Sequence, residues 1–114
     1  IIADEAQFLT PAQIEQLRDL VDDEDLPVLC FGLRTDFQTH MFPGSQRLME
    51  LSDSLTEIKT VCACGRKATV NARIGEDGRI ITQGDQVFLG GNDSYIAMCH
   101  KCWADKIKAQ NEEV

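Results

Sequence analysis

Two neighbouring carboxylates directly follow a short apolar run at the start of the chain. The run is Ile1-Ile2-Ala3, and the acids are Asp4 and Glu5. Such a run predicts a buried strand whose carboxyl end lies at the sheet edge where α/β proteins bind ligands. A carboxylate there can hold Mg²⁺ beside a phosphate, and a second acid can accept a proton from an attacking oxygen. Asp4 and Glu5 fit these roles, although an acidic pair after three apolar residues is also common without any catalysis.

Four of the five cysteines form two close pairs in the second half of the chain. They are Cys62, Cys64, Cys99 and Cys102. Four thiolates close a tetrahedral zinc site, and two pairs that flank a hairpin are typical of a structural zinc ribbon. Disulfides are the alternative, and a cytosolic setting disfavours them. The one-residue spacer between Cys62 and Cys64 is tighter than C-x-x-C, and His100 is an alternative ligand unless it faces solvent.

Composition limits the classes of protein that this chain can represent. At 114 residues and 43% hydrophobic content, it can bury one modest core. We find no apolar run of membrane-spanning length and no signal-peptide pattern, so a cytoplasmic protein without a membrane partner is the expectation. The net charge of −8 argues against a nucleic-acid partner, because phosphate neutralisation requires clustered Lys and Arg. We therefore expect a small-molecule partner.

The first half of the chain predicts a βαβ unit. Thr10, Pro11 and Gln13 predict a helix start with a capping box, and an apolar stripe at helical spacing follows. The acidic run 22–25 should fray the end of this helix, because acids oppose the dipole there. Residues 28–33 predict a strand covered on both faces, in which Cys30 is an inert buried thiol.

Three further features complete the first half. Residues 34–38 follow the second strand, so their polar groups should face the same crevice as Asp4 and Glu5. Residues 44–51 predict a short helix, and residues 55–61 predict another strand. No G-x-x-x-x-G-K-[ST] phosphate loop occurs in the sequence. We therefore expect this chain to be part of a longer domain.

The region between the cysteine pairs predicts a hairpin followed by a loop. Residues 69–74 predict a strand, residues 75–78 a turn and residues 79–82 a returning strand. Residues 83–95 contain three glycines and few core candidates, which indicates a long loop of the kind that is usually functional or disordered. A short helix is predicted from Trp103, followed by a frayed tail at 110–114.

Several motifs in order resemble the zinc-containing thymidine kinases. They are Asp-Glu-Ala-Gln-Phe at 4–8, Gly-Leu-Arg-Thr-Asp-Phe at 32–37, the cysteine pairs, Gly-Arg-Lys-Ala at 65–68 and Gly-Gly-Asn-Asp-Ser-Tyr at 90–95. The resemblance implies an α/β fold in which residues 1–61 are part of a P-loop NTPase (RecA-like) parallel sheet. Residues 62–114 would then form a small zinc-ribbon subdomain carrying a substrate loop called the lasso. It also implies that the phosphate loop and roughly the first third to two-fifths of the enzyme are absent from this chain, so that these 114 residues alone are inactive.

The resemblance also implies roles for individual residues. Glu5 would be the proton acceptor, and Asp4, Glu5, Ala6 and Gln7 would line the site of ATP and its magnesium. The implied thymidine contacts are Phe8, Leu33, Phe37, Asn71, Gln86, Phe88 and Tyr95, with Gln86 and Phe88 on the lasso and the role of Asn71 less closely matched. Cys62, Cys64, Cys99 and Cys102 would hold structural zinc, since the tight first spacer is similar to the bacterial branch. The family further implies a homotetramer, inhibition by dTTP and a cytoplasmic location.

Two alternatives from other classes of protein stand beside this one. Asp4-Glu5-Ala6-Gln7 also resembles the DEAD-type helicase box, which would indicate an RNA-dependent ATPase. Those proteins carry Ser-Ala-Thr after the next strand, where this chain has Gly32-Leu33-Arg34-Thr35. The other alternative is a zinc-ribbon interaction module without catalysis. A phosphate loop upstream of Ile1 in the parent reading frame would discriminate the kinase from that module.

Overall fold

The computed structural model describes residues 1–86 and 93–112, and it divides into two compact units. The first unit contains Ile1–Thr35 and Met41–Thr56, and the second contains Asp36–His40 and Glu57–Val114. Among the described residues, no helix is both long enough and apolar enough to cross a bilayer.

The first unit is a small α/β structure built on one parallel strand pair. Strand β1 (Ile2–Ala3) pairs with β2 (Leu29–Cys30), and helix α1 (Pro11–Glu24) connects them. A 3₁₀ turn (Ala6–Phe8) precedes α1, and helix α2 (Pro43–Leu51) follows β2. The predicted parallel βαβ unit and both predicted helices are confirmed.

The predicted capping box at the start of α1 is present. The Gln13 backbone N–H donates to Thr10 Oγ1 at 3.2 Å, and the Thr10 N–H donates to Gln13 Oε1 at 2.9 Å. The acidic run does not fray the helix as expected, since α1 continues to Glu24 and Asp25 caps it in the left-handed conformation. Arg18 offsets the acids by binding Asp22 at 2.7 Å.

The strands of the first unit differ from their prediction in length and burial. Both are two residues long, and Ile2 is 71% exposed and Leu29 56% exposed. The prediction of strands buried on both faces is therefore wrong for the described chain, because this sheet has only two strands and no described layer covers these side chains. Cys30 is half-buried rather than fully buried.

The second unit is built around an antiparallel pair. Strand β3 (Val70–Ile74) pairs with β4 (Ser94–Met98), and helix α3 (His100–Glu112) follows. Its core consists of buried side chains from both strands, from the cysteine pairs and from the segment after the Gly75–Gly78 turn: Cys62, Val70, Ala72, Ile80, Met98 and Cys99. The predictions of β3 and of the Gly75–Gly78 turn are confirmed, the turn by a hydrogen bond from the Gly78 N–H to the Gly75 carbonyl at 3.0 Å.

Three further predictions are wrong. Residues 79–82 form only an isolated bridge, because β4 is the partner of β3, and β4 starts at Ser94 inside the predicted loop. Residues 55–61 form no strand: Val61 makes one bridge to Lys67, and Ile58 is 76% exposed. Helix α3 begins at His100 rather than Trp103 and continues through Gln110, whose side-chain amide binds both the N–H and the carbonyl of Ile80.

Candidate functional site

The two acidic residues lie at a sharp turn directly after β1. Glu5 adopts the left-handed conformation (φ 53°, ψ 38°), and its N–H donates to Asp4 Oδ1 at 2.9 Å. The Ala6 N–H then donates to the Phe31 carbonyl at 2.9 Å, which ties the turn to the end of β2. Asp4 and Glu5 are both exposed, whereas Ala6 is fully buried. The turn therefore presents two carboxylates to solvent from a fixed backbone.

The side chain of Gln7 holds the Glu5 carboxylate by a hydrogen bond. The Gln7 side chain is 2% exposed, its Nε2 donates to Glu5 Oε2 at 2.7 Å, and its Oε1 accepts from the Leu33 N–H at 3.2 Å. A buried amide must satisfy both of its ends, and here one end is the carboxylate and the other is the backbone after β2. The position of Glu5 is thus linked to both strand ends.

Two glycines allow this close packing. A Cβ atom at Gly32 would lie 2.4 Å from Gln7 Oε1, and one at Gly44 would lie 2.3 Å from the Leu9 carbonyl oxygen and 2.9 Å from that of Gln7. Gly44 and its buried neighbour Ser45 lie in the first turn of α2, and Ser45 Oγ donates to the Leu33 carbonyl. The start of α2 therefore supports the segments that carry Gln7 and Leu33.

Two predicted thymidine contacts of the first unit are exposed. The ring of Phe8 is 53% exposed and packs edge-on against Phe42, with 5.7 Å between the ring centroids. Leu33 is 41% exposed. Phe8 follows Gln7 in the chain, and the Leu33 N–H donates to Gln7 Oε1, so both apolar side chains belong to residues linked to the amide that binds Glu5. This combination suits a ligand with a flat apolar part and a hydroxyl group.

One face of β3 groups three predicted contacts of the second unit. Asn71 and Arg73 share that face because side chains alternate along a strand, and Tyr95 lies directly opposite Arg73 in the ladder. Phe37 is 2% exposed, and its ring centroid lies 5.2 Å from the guanidinium carbon of Arg73. Tyr95 is 47% exposed. Phe88 lies outside the described residues.

Two charged residues in this group are buried: Arg73, for which no role was predicted, and Asp36, which was predicted only as part of the polar segment 34–38. Arg73 is 4% exposed and forms an ion pair with Asp93, with Nε and Nη2 both 2.9 Å from Asp93 Oδ2. Asp36 is 4% exposed and accepts from the backbone N–H groups of Gln38 and His40 through Oδ1, and from Gln86 Nε2 at 2.9 Å through Oδ2. The available signal for Arg73 was its charge within a strand in which apolar and polar residues otherwise alternate. The side chain of Gln86, a predicted thymidine contact, is thus hydrogen-bonded to Asp36.

The four predicted zinc ligands lie together. Their sulfur atoms are all within 4.8 Å of one another, and Cys64 Sγ lies 3.6 Å from Cys99 Sγ. Four sulfurs at the usual zinc distance in a tetrahedron would be about 3.8 Å apart, so the cluster fits that ion. Cys62 and Cys64, the first pair, lie on a tight turn. In this turn Gly65 (φ +94°) donates its N–H to the Cys62 carbonyl. His100 is exposed and packs against Trp103 instead of joining the cluster.

Hydrogen bonds divide the cysteines by acidity. The backbone N–H groups of Cys64 and Cys99 lower the pKa of Cys62 to about 6, and the N–H of Arg66 is the main cause that lowers the pKa of Cys64. Hydrogen bonding to Cys99, and then to Cys64, raises the pKa of Cys102 to about 12. Cys30 lies outside this cluster, and burial raises the pKa of its thiol. The four thiols therefore differ in acidity, and a bound cation would favour the thiolate form of all four.

A matching family model and several similar proteins share one name. The family model described as thymidine kinase matches residues 1–103. A thymidine kinase of Ruegeria pomeroyi is 51% identical over 105 residues, which are 92% of this chain and 53% of that protein. One from Legionella pneumophila is 54% identical over 99 residues, covering 87% of this chain and 47% of its own length. One from Rhodopirellula baltica is 49% identical over 113 residues, covering 99% and 54%. The chain thus spans about half the length of the curated relatives it matches.

Proposed function

The chain belongs to the thymidine kinase family, and on that basis we propose that it carries the proton acceptor and nucleoside contacts of an enzyme that phosphorylates thymidine. The reaction transfers the γ-phosphoryl group of ATP to the 5′-hydroxyl and yields dTMP and ADP. The observation that carries this proposal is the exposed Glu5 carboxylate, which the buried amide of Gln7 holds at 2.7 Å. A solvent-facing carboxylate with a fixed orientation is what a general base requires.

In this proposal Glu5 accepts the proton of the thymidine 5′-hydroxyl. The 5′-oxygen forms a bond to the γ-phosphorus, the bond from that phosphorus to the bridging oxygen breaks, and ADP leaves. The proton on Glu5 then passes to solvent, which the exposure of this side chain permits. Gln7 takes no part in bond making, and its role is to keep Glu5 Oε2 in place.

Asp4 is the proposed residue beside the ATP-bound magnesium. Its exposed carboxylate fits a hard cation that prefers oxygen ligands, and its only hydrogen bond within the described residues is to the Glu5 N–H. Magnesium would supply charge neutralisation for the phosphates when it is bound with ATP. We also propose that residues 4–7 line the ATP site, as the resemblance to the zinc-containing thymidine kinases implies.

Each unit contributes its own proposed nucleoside contacts. In the first unit these are Phe8 and Leu33, whose exposed apolar surfaces suit a pyrimidine ring. In the second unit they are Phe37, Asn71, Gln86, Phe88 and Tyr95, of which Phe88 lies outside the described residues. The cysteine cluster of the second unit is a proposed structural zinc site, since four thiol ligands leave no position for a substrate.

The larger frame of the enzyme is also a proposal. We assign residues 1–61 to a P-loop NTPase core, in support of which the first unit has two parallel strands joined through a helix, as such folds do. Residues 62–114 are assigned to the zinc and lasso subdomain. A homotetramer, inhibition by dTTP and a cytoplasmic location are proposed from the family alone.

Nucleoside-dependent ADP formation tests the proposed function. The full-length protein that contains this chain is incubated with ATP and magnesium and with thymidine, deoxycytidine, deoxyguanosine or single-stranded RNA in turn. We expect ADP and dTMP in equal amounts with thymidine and none above background with RNA. ATP turnover stimulated by RNA would support the helicase alternative, and the absence of any turnover would leave the interaction module as the better account.

A further inference from the structure

Arg73 lies at the centre of the polar group on β3, although no role was predicted for it. We propose that Arg73 is a positioning residue for the nucleoside base: it holds the ring of Phe37 in place and is itself held by Asp93. This inference rests on the proposed function, because it assumes that Phe37 contacts the base. It adds a residue to the substrate pocket that does not touch the substrate itself.

The charge of Arg73 is buried and paired with Asp93. Its side chain is 5% exposed, and that of Asp93 is 17% exposed. A buried cation is unfavourable unless it is paired and hydrogen-bonded, and here two nitrogens of the guanidinium contact one oxygen of Asp93. The pair therefore sets where the plane of the guanidinium can lie.

That plane lies over an aromatic ring. The guanidinium carbon is 5.2 Å from the centroid of Phe37, within the range of a cation–π contact. A Cβ atom at Gly84 would lie 3.5 Å from Arg73 Nη1 and 3.8 Å from Phe37 Cζ, so Gly84 lies close to both groups. Phe37 is only 2% exposed and has Arg73 over its ring, so the ring has little room to move.

The backbone at Arg73 is also held in place. Arg73 lies in the middle of β3, paired with Tyr95 across the ladder, and its carbonyl accepts from the Ile81 N–H at 2.8 Å. Movement of the guanidinium would therefore have to come from the side chain alone, and Asp93 opposes it. Lysine could keep the charge but lacks the planar group that lies on the ring.

The test measures steady-state kinetics of the full-length protein with Arg73→Met and Arg73→Lys. If Arg73 positions Phe37, Arg73→Met should raise the KM for thymidine about tenfold, which corresponds to a cation–π contact of ordinary strength. The KM for ATP and kcat should stay within about threefold of the wild type, since neither depends on the base contact. Arg73→Lys should recover part of the loss. The matched control is Arg18→Met, which removes an arginine paired with Asp22 and Asp53 in the first unit and should leave both KM values unchanged.

A double-mutant cycle separates positioning from a general loss of structure. In a Phe37→Leu background, Arg73→Met should raise the thymidine KM less than about twofold, because the ring through which Arg73 acts is gone. An equal increase in both backgrounds would overturn the inference, and so would an Arg73→Met enzyme with an unchanged KM. If Arg73→Met does not fold, Arg73→Lys is carried through the same cycle. A wild-type protein without thymidine phosphorylation would instead overturn the proposed function, and this inference with it.

Discussion

At the scale of single residues, the candidate active site separates the group that reacts from the group that orients it. Glu5 is exposed to solvent, whereas Gln7 is buried and has both ends of its amide hydrogen-bonded. The sequence placed both residues in one motif but could not show this division, because it depends on the left-handed turn at Glu5 and on the reach of Gln7 to Leu33. Two substitutions test the two roles separately.

Glu5→Gln should abolish most turnover while leaving nucleoside binding intact. The amide keeps the shape of the side chain and removes the base, and a general base contributes roughly 10²- to 10⁴-fold to kcat. The KM for thymidine should change little, since the proposed base contacts are untouched. Glu5→Asp should recover little, because the shorter side chain moves the carboxylate away from its required position. Steady-state kinetics with Glu24→Gln, an exposed acid at the end of α1, is the control. Near-normal kcat in Glu5→Gln would assign the proton acceptor elsewhere.

Gln7→Glu should make turnover dependent on high pH. The variant keeps an acceptor for the Leu33 N–H but places a second carboxylate where an N–H now donates to Glu5 at 2.7 Å. Two carboxylates at this distance resist ionising together, so at neutral pH one of them holds a proton and Glu5 loses its function as a base. Measured kcat should fall near pH 7 and recover as the pH is raised. The same substitution at exposed Gln16 should not alter the pH profile, and a profile shared by both variants would argue against the role of Gln7.

At the scale of secondary structure, features set by contacts between near neighbours in the chain were predictable, and features set by distant pairing were not. The start of α1 was predictable, because Thr10 and Gln13 form the capping box and Pro11 occupies the first helical position, all within one turn. Strand β4 was missed, since its pairing with β3 joins residues twenty or more positions apart and its first residues resemble a loop. Residues 55–61 have strand-like composition but find no ladder partner within the described chain. The cysteine cluster was predictable because ligand identity and spacing carry most of the information.

Gly44→Ala should destabilise the first unit and disturb the site. The new methyl group would lie 2.3 Å from the Leu9 carbonyl oxygen, so α2 or the turn that carries Gln7 must move. Overpacking of this kind costs about 1 to 3 kcal/mol, against a small gain in helix propensity. Chemical denaturation should show a lower midpoint, and kcat should fall because Gln7 moves with the turn. Gln46→Ala, on the exposed side of the same helix, should change stability by less than about 0.5 kcal/mol. Equal stability of the two variants would show that α2 does not constrain the turn.

At the scale of the whole molecule, the two units have different sources of stability. The first unit has helices packed on a two-stranded pair, and Ile14 is the only large apolar residue of α1 and α2 that is buried. The second unit includes two of the four clustered cysteines in its core, so metal binding and core formation involve the same residues. Its helix α3 starts at His100, between the last two clustered cysteines. Metal removal should therefore affect the second unit selectively.

If the cysteine cluster holds zinc as proposed, the purified protein should contain about one zinc per chain, and chelation should unfold the second unit. Binding free energy of a structural zinc site is folding free energy, because the unfolded chain has no preformed site. Trp103 is the only tryptophan, and it packs against the core beside Cys102, so its fluorescence reports on this unit. The emission should shift to longer wavelength on chelation and return when zinc is restored.

Cysteine substitutions make the zinc prediction specific. Cys62→Ser should lower zinc content and reproduce the fluorescence change without chelator, because it removes one of four clustered sulfurs from a core position. Cys30→Ser removes the one cysteine outside the cluster and should retain full zinc content and the native emission spectrum. Helix α1 should persist in both variants, since its capping box and its ion pairs belong to the first unit. Reduced, freshly purified protein without zinc would contradict the assignment, and equal zinc loss in both variants would show that the metal is not held by this cluster.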